Sequence, residues 1–456
     1  MAPRHVEITE TDEAGNTIAT YLSSGTSSEN VCRIDVIHPT TQRPWQKLLN
    51  IFLPAGYPHS VTDDYLEYQI YDSLQAFASS IAGLLSSRAV LSSVGVGDST
   101  SSPTAALLLS IVQDSVGRLA TIAFADRYGT ALEPECKMYR LLADVLNDIA
   151  FILDCMSPIF PKAVRVVILS FSSVLRALCG VAAGSAKASL SAHFARWGNL
   201  GELNAKDSSQ ETVISLLGSL AGSVVVYYVT SPFATWTTLI LLLAIHLETN
   251  RRAVRAVSMR TLNRQRATLV YHHLKRGRVP NPREVSEQEL IFERDGVLRS
   301  VVGAIVGWCK IGSQLEIPLR RMAFKRGVTR SLLMKDSWFE QTMLLLGNRR
   351  YVLILEEGSA LPHVYIVLEK QATTADILAG WWQALAFAEA HASGSRGSKE
   401  LSYVQDDEIF SRLAATAHST SDMMEQYRTR LVEAGWDLDT NALETRSAAR
   451  ITVGTK

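Results

Sequence analysis

The sequence predicts a mainly α fold: a polytopic helical membrane domain of about six spans followed by a small soluble α+β domain. Three observations carry this. From Thr212 to Leu247 there is no Asp, Glu, Lys or Arg. From Arg251 to Arg283 there are ten Lys or Arg and no acid. Beyond Arg350, short alternating runs replace the long apolar ones. The mean hydropathy of +0.08 is therefore an average over two unlike regions.

At 456 residues the chain is long for a single core, so two or three domains are expected. The net charge of zero gives no global field for nucleic acid or acidic substrates. Cys32, Cys136, Cys155, Cys179 and Cys309 are odd in number, far apart and without a CxxC pair, which reads as reduced thiols. Met1–Asn16 carries four acids and no apolar core, unlike a cleavable signal or a transit peptide. Insertion into a membrane would start from internal helices, and no organelle is indicated.

His5–Thr9 and Thr17–Leu22 alternate around Asp12-Glu-Ala-Gly-Asn16, which predicts a β-hairpin. Residues 23–60, rich in Ser, Thr and Pro, read as a linker. Six apolar helical segments follow: Leu74–Val96, Pro103–Ala125, Met138–Ile159, Ala163–Ala186, Thr212–Val229 and Pro232–Leu247, the last entered through Ser231-Pro232. A span needs about 20 residues of helix. The first four reach that length. The last two are slightly short, but the charge-free hairpin they form is hard to place at an aqueous surface. The boundaries read from the sequence are 1–60 (hairpin and linker), 61–250 (membrane domain), 251–330 (basic helical connector) and 331–456 (α+β domain).

A large soluble helical bundle competes with this reading, because four of the six segments contain ionisable residues. The charge-free stretch and the arginines after it favour the membrane. Basic residues beyond a last span are the positive-inside pattern. They put the segment after Leu247, and by even count the N-terminus, on the cytoplasmic-type side. Arg251, Arg252 and Arg255 are candidates for anionic lipid headgroups, or form a plain solvated basic helix. Farther on, Glu287–Lys310 reads as an amphipathic helix. Arg350–Glu356 and His363–Glu369 read as strands, and Thr374–Ala392 as a helix with Trp381 and Trp382. Residues 407–434 read as two helices and Ala448–Val453 as a strand.

Ser73-Leu-Gln-Ala-Phe-Ala-Ser-Ser-Ile-Ala-Gly83 aligns with Val174-Leu-Arg-Ala-Leu-Cys-Gly-Val-Ala-Ala-Gly184 at an offset of 101. Loops bearing Asp98-Ser99 and Asp207-Ser208 follow each. Two units of three helices would be a three-plus-three transporter repeat. Chance alignment of small-residue helices is the competing explanation.

Several separated motifs occur in a recognisable order: Phe52-Leu-Pro-Ala-Gly-Tyr-Pro-His-Ser-Val-Thr62, Tyr68-Gln-Ile-Tyr-Asp72-Ser-Leu-Gln75, Gly95-Val-Gly97, Lys137-Met-Tyr-Arg-Leu-Leu-Ala-Asp144, Asn147-Asp148, Ala205-Lys-Asp-Ser-Ser-Gln-Glu-Thr212, Asn250-Arg-Arg-Ala-Val-Arg255 and Val279-Pro280. In these the chain resembles the root UVB sensitive family over residues 50–290, and more loosely beyond. The resemblance implies a membrane-associated protein without an established catalytic activity. It links the chain to vitamin B6 photo-protection and homeostasis, and to UV-B responses and early seedling development in plants. Gln113-Asp114 stands where the family pattern has Arg-Asp, which weakens a charge pair there.

Charges in membrane helices cost about 2.5–3.5 kcal/mol each on insertion scales, so they are paired or functional. Asp114 and Arg118 are four apart and can pair. Arg140, Asp144 and Asp148 share one helix face with Asn147 beside them. Arg140 can neutralise one acid, and Arg176 is the expected partner of the other. Together these residues would line a path for a small charged solute or a proton, or form a structural polar network. Lys187, His193, Lys206, Asp207, Gln210 and Glu211 gather around the fourth-to-fifth connection, where Ser208 or Ser209 also reads as a helix cap. His246 is expected at the interface.

No catalytic motif, metal-ligand spacing or nucleotide loop occurs in a supporting context, and no lysine has a phosphate cradle for pyridoxal phosphate. Neither an enzyme nor a bound cofactor or metal is expected. Two functions remain. One is a transporter-like carrier, expected as a homodimer because six spans are half a typical carrier. The other is a membrane-anchored scaffold that binds a protein through its C-terminal domain. The expected partners are membrane lipids and protein, not nucleic acid.

Overall fold

The computed structural model describes residues 6–11, 15, 17–25, 32–37, 51–94, 103–322, 325–326, 332–333, 349–356, 361–394 and 406–452. The chain folds as two units: residues 1–118 with 141–257, and residues 119–140 with 258–456. The 95–99 segment singled out above lies outside the described residues.

The first unit opens with β1 (Val6–Thr11), β2 (Thr17–Gly25) and β3 (Cys32–Ile37), an antiparallel meander in that order. β1 and β2 form the expected hairpin. β3 corrects the reading of 23–60 as linker throughout. Its alternating Cys-Arg-Ile-Asp-Val-Ile pairs along the free edge of β2, from Thr20 opposite Ile37 to Gly25 opposite Cys32, which satisfies backbone groups that composition alone cannot assign.

Six helices follow: α1 (Tyr65–Val94), α2 (Pro103–Tyr128), α3 (Cys136–Met156), α4 (Lys162–Phe194), α5 (Leu200–Tyr228) and α6 (Pro232–Ala256). Each matches an expected apolar segment. α6 starts as predicted, with Ser231 Oγ accepting from the Ala234 amide at 3.2 Å. α5 does not start at Ser208 or Ser209. It begins at Leu200, and Ser209 Oγ donates inside the helix to the Ala205 carbonyl at 2.9 Å.

α1 packs most extensively on α6 and α5. Gly218 and Gly222 of α5 make the second contact close. A Cβ on Gly218 would lie 2.7 Å from Ser80 Cβ, and one on Gly222 would lie 2.7 Å from Leu84 Cδ1. This is the spacing with which small residues let helix backbones approach. Arg88 closes the α5–α6 turn, donating to the carbonyls of Val226 (2.9 Å) and Val229 (2.6 Å) and to Thr235 Oγ1 (3.0 Å). It thereby satisfies carbonyls that a helix end leaves orphaned.

Among the described residues, four helices are long and apolar enough to cross a membrane: α1, α4, α5 and α6. α3, which carries Asp144, Asp148 and Asp154, is not one of them. The outer faces match: Leu216, Leu217, Leu220 and Val224 of α5 and Phe233, Ile240 and Leu241 of α6 are all more than half, or half, exposed.

The second unit corrects the connector. Among the described residues of 251–330 the helices after α6 are α7 (Arg264–Leu274), α8 (Pro282–Ser286) and α9 (Glu316–Met322). The segment expected as a Glu287–Lys310 helix is instead β4 (Val297–Arg299) and β5 (Ile305–Ile311). Gly296 (φ +75°) and Gly303 (φ +81°) hold backbone conformations that stop a helix. The Ile-Val-Gly-Trp-Cys-Lys-Ile run gains a ladder instead. The short strands β6 (Lys325–Arg326) and β7 (Leu332–Leu333) pair with each other. β8 (Tyr351–Glu356), β9 (His363–Glu369) and β10 (Arg450–Ile451) complete a five-stranded sheet with β4 and β5. β9 is central: antiparallel to β8, parallel to β5 and β10.

α10 (Thr374–Gly394) covers this sheet and packs on α7 and on α11 (Asp406–Glu433). α11 is one helix where two were expected. The region is therefore α+β, as the sequence predicts. Trp381 and Trp382, placed above on the helix of the domain expected to bind a partner, are 0% exposed. Their indole nitrogens donate to Thr268 Oγ1 (3.0 Å) and to the Ala267 carbonyl (2.9 Å). They are core residues, because an indole buries a large apolar area once its N–H has a partner.

Candidate functional site

A buried polar cluster of the first unit lies where α1, α3 and α6 meet. Buried positions on α6 recur at Leu239, Leu243, His246, Asn250 and Ala253, so its inward stripe is apolar until it reaches a histidine and an asparagine one turn apart. Asp144 and Asp148 of α3 have the same one-turn spacing. Gln75 comes from α1.

His246 is 0% exposed and sits between both carboxylates. Its Nδ1 lies 2.7 Å from Asp148 Oδ1, and its Nε2 lies 3.3 Å from Asp144 Oδ2 and 2.9 Å from Gln75 Nε2. Gln75 Nε2 donates to Asp144 Oδ2 at 2.8 Å, and Asn250 Nδ2 donates to the same oxygen at 2.5 Å. Asp148 Oδ2 is buried with no hydrogen-bond partner among the described residues.

This geometry supports two protonation states. With Nδ1–H donating to Asp148, a neutral ring can accept from Gln75 at Nε2. With both nitrogens protonated, the ring donates to a carboxylate on each side. Moving between the two needs one proton and a small reorientation of Gln75. Two buried carboxylates facing one imidazole place a proton acceptor on each side of the ring.

The expected residues divide as follows. Asp144 and Asp148 meet in this cluster. Asn147 is half-buried beside it, donating to Ser79 Oγ at 3.4 Å. Arg176 does not serve these carboxylates. It pairs with Asp154 on α3 and donates to Ser86 Oγ at 3.0 Å, with its guanidinium over the Phe151 ring. Arg140 is buried in the first turns of α3, while Asp114 and Arg118 lie exposed on α2.

The group around the fourth-to-fifth connection does assemble, on helices rather than a loop. Lys187 of α4 bridges Asp207 and Glu211 of α5, each at 2.6 Å. Gln69 Nε2 donates to Asp207 Oδ1 (2.7 Å) and Gln210 Oε1 (2.8 Å). Gln210 and Lys206 reach the carbonyls of Phe52 and Ile51, both at 2.7 Å. His193 pairs with Asp64 at 3.0 Å. Of the proposed headgroup ligands, Arg251 and Arg252 are held by Glu248 at 2.7 and 2.8 Å, and Arg255 is exposed.

Sequence reasoning missed Gln75 and Asn250 and put His246 at the interface. The signal was present: His246 and Asn250 continue the buried stripe of Leu239 and Leu243.

The second unit has its own polar interior. Glu289 accepts from Lys137 Nζ at 2.7 Å and Arg266 Nη1 at 2.9 Å. Burial opposes its ionisation, yet these two cations hold Glu289 below its ordinary value. Burial pushes nearby Glu135 up to about 7. It also lowers His272, whose Nε2 lies 2.9 Å from the Arg299 carbonyl. Beside these residues opens a cavity of about 430 Å³, all of whose lining belongs to this unit.

The chain is thus a two-unit helical protein in which an apolar-faced bundle with a buried carboxylate–histidine centre is joined to an α+β unit. Residues 38–277 match the family model described as the vitamin B6 photo-protection and homoeostasis domain, and residues 321–447 match that of the root UVB sensitive protein C-terminal region. The chain belongs to the root UVB sensitive family. It is 32% identical over 354 residues to Protein root UVB sensitive 3 of Arabidopsis thaliana, covering 75% of this chain and 76% of that protein. It is 40% identical over 250 residues to RUS family member 1 of Dictyostelium discoideum, covering 54% of this chain and 47% of that protein. Protein root UVB sensitive 2, chloroplastic, of Arabidopsis thaliana is 28% identical over 365 residues, 79% of this chain and 77% of that protein. No solved structure matches the chain. All five residues of the histidine cluster lie inside the first matched segment.

Proposed function

We propose that the chain is an integral membrane protein whose helical unit carries a small solute across the bilayer, with proton exchange at the Asp144–His246–Asp148 centre. The observation that carries this reading is a fully buried histidine bracketed by two carboxylates, inside helices whose outer faces are apolar. An intramembrane ionisable group with named partners is the usual mark of a proton or ion path. In its finer form, α2 and α3 join the four apolar helices as six spans, the 101-residue offset marks two halves, and two copies complete the carrier. The family's tie to vitamin B6 suggests a vitamer as the solute.

The test is uptake of labelled pyridoxine, driven by a pH gradient, into proteoliposomes holding the full chain. His246→Asn, Asp144→Asn and Asp148→Asn are each expected to abolish proton-coupled uptake while the protein still resists alkaline carbonate extraction. Wild-type uptake in all three would remove the centre from the mechanism. Release of the wild type by carbonate would remove the membrane. The scaffold reading is weaker because the two adjacent tryptophans of the C-terminal domain, Trp381 and Trp382, lie in its core and not on its surface.

A further inference from the structure

The cavity of the second unit has no part in the transport reading. At about 430 Å³ it falls in the size class of small organic ligand sites. Arginines 127, 264, 276, 294, 299 and 446 line it, against Glu135, Glu293 and Asp295.

Some of these arginines are already engaged. Arg299 is bidentate to Glu293 at 2.6 and 2.9 Å and donates to the Gly303 carbonyl at 2.7 Å. Arg264 donates from Nε to the Leu443 carbonyl at 2.8 Å, pairs with Asp295, and has its guanidinium over Trp381. Arg446 lies 3.5 Å from the same aspartate.

The others are not. Arg127 at the end of α2, Arg276 just past α7 and Arg294 before β4 make no ion pair among the described residues. They come from three separate elements and converge on one space. Glu135, raised to about 7, contributes only part of a negative charge near neutral pH. The excess of positive charge faces an apolar wall that includes Tyr128, Tyr139, Leu269 and Val301. Tyr128 and Val301 are 46% and 45% exposed. A basic end and an apolar wall in one concavity call for an anionic group on an apolar body, because guanidinium binds carboxylate and phosphate in a planar, paired geometry.

We propose that this cavity binds an organic anion, with its phosphate or carboxylate held by Arg276 and Arg294 beside Arg264 and its flat apolar body packed on Tyr128, Tyr139 and Leu269. The anion is either a soluble small molecule or the headgroup end of an anionic lipid. The site stands whether or not the first unit carries a solute.

The test is calorimetric titration of the full chain in nanodiscs of neutral lipid, with empty discs subtracted, using 1-naphthyl phosphate as probe. Saturable binding at one site per chain is expected, with 1-naphthol and inorganic phosphate each at least about tenfold weaker. The double variant Arg276→Gln, Arg294→Gln changes only exposed side chains. It should lose at least about tenfold in affinity, while Arg428→Gln, away from the cavity, should bind as wild type. Repeating the titration in discs containing phosphatidic acid separates the sources: competition identifies a lipid headgroup, and unchanged affinity a soluble anion. The proposal falls if naphthyl phosphate shows no saturable heat, if naphthol binds as tightly, or if the double variant binds as wild type.

Discussion

The two units differ in where their apolar surface lies. In the first, leucines and valines face outward on α5 and α6, and the interior holds Asp144, Asp148, His246, Asn250 and Gln75. In the second, Trp381, Trp382, Leu385, Ile354 and Ile366 fill the core at 0% exposure. The second obeys the rule that water sets: apolar area leaves the solvent and drives folding. The first buries apolar side chains too, among them Leu85, Leu190 and Leu239, but leaves a long apolar outer face on α5 and α6. Its α1–α5 contact also depends on close approach at Gly218 and Gly222, and polar links cross between its helices. Buried polar groups occur in both units, and those of the first, at Asp144, His246 and Asp148, are the candidate machinery.

The largest effect expected from breaking this contrast is in the second unit. Trp382→Ala should destabilise it by about 3–5 kcal/mol, through the cavity left by a fully buried indole. Denaturant unfolding of the full chain in nanodiscs, read by tryptophan fluorescence, checks this. Leu241→Arg tests the outer face of the first unit, where Leu241 is 61% exposed. In a bilayer it should cost about 2.5–3.5 kcal/mol of insertion and lower the carbonate-resistant fraction. On a water-facing bundle it would cost nothing measurable, so an unchanged fraction reverses the contrast.

Gly222→Ile sharpens the packing side. With Leu84 Cδ1 2.7 Å and the Ile81 Cα 3.2 Å from the built Cβ, a branched side chain displaces Leu84 and presses on the α1 backbone, at about 1–3 kcal/mol. A lower thermal midpoint in detergent, restored by Leu84→Ala, is the expected readout. The smallest effect is a pH slope. Glu135 is raised from 4.5 to about 7 by burial, beside Arg266, Glu289, Arg264 and Asp295. The folded state therefore holds its proton more tightly than the unfolded state. Stability falls as pH rises from about 4.5 to 7 and is flat above. Glu135→Gln should flatten that window in thermal scans from pH 4.5 to 8.

How far the sequence could be read depended on range. Apolar runs and the Ser231-Pro232 start located the six helices, since their hydrogen bonds close four residues away. The motifs from Phe52 to Arg255 identified the family. By contrast, Gly296 and Gly303 sit in a stretch whose apolar spacing resembles a helix face, and it is pairing with β4 and with the distant β9 that makes Ile305–Ile311 a strand. Arg176 and Asp154 illustrate the same limit for charges. Both were visible as ionisable residues in apolar segments, but a helix face does not name the face it meets.

Local periodicity and composition set which segments are helical, where the apolar surface lies and which carboxylates share a face. Those properties depend on neighbours within a few turns. The meeting of His246 with Asp144 and Asp148, the burial of the two adjacent tryptophans and the convergence of Arg127, Arg276 and Arg294 were decided by packing. These pairings join residues up to about 170 positions apart, and such contacts form only when whole helices choose their partners.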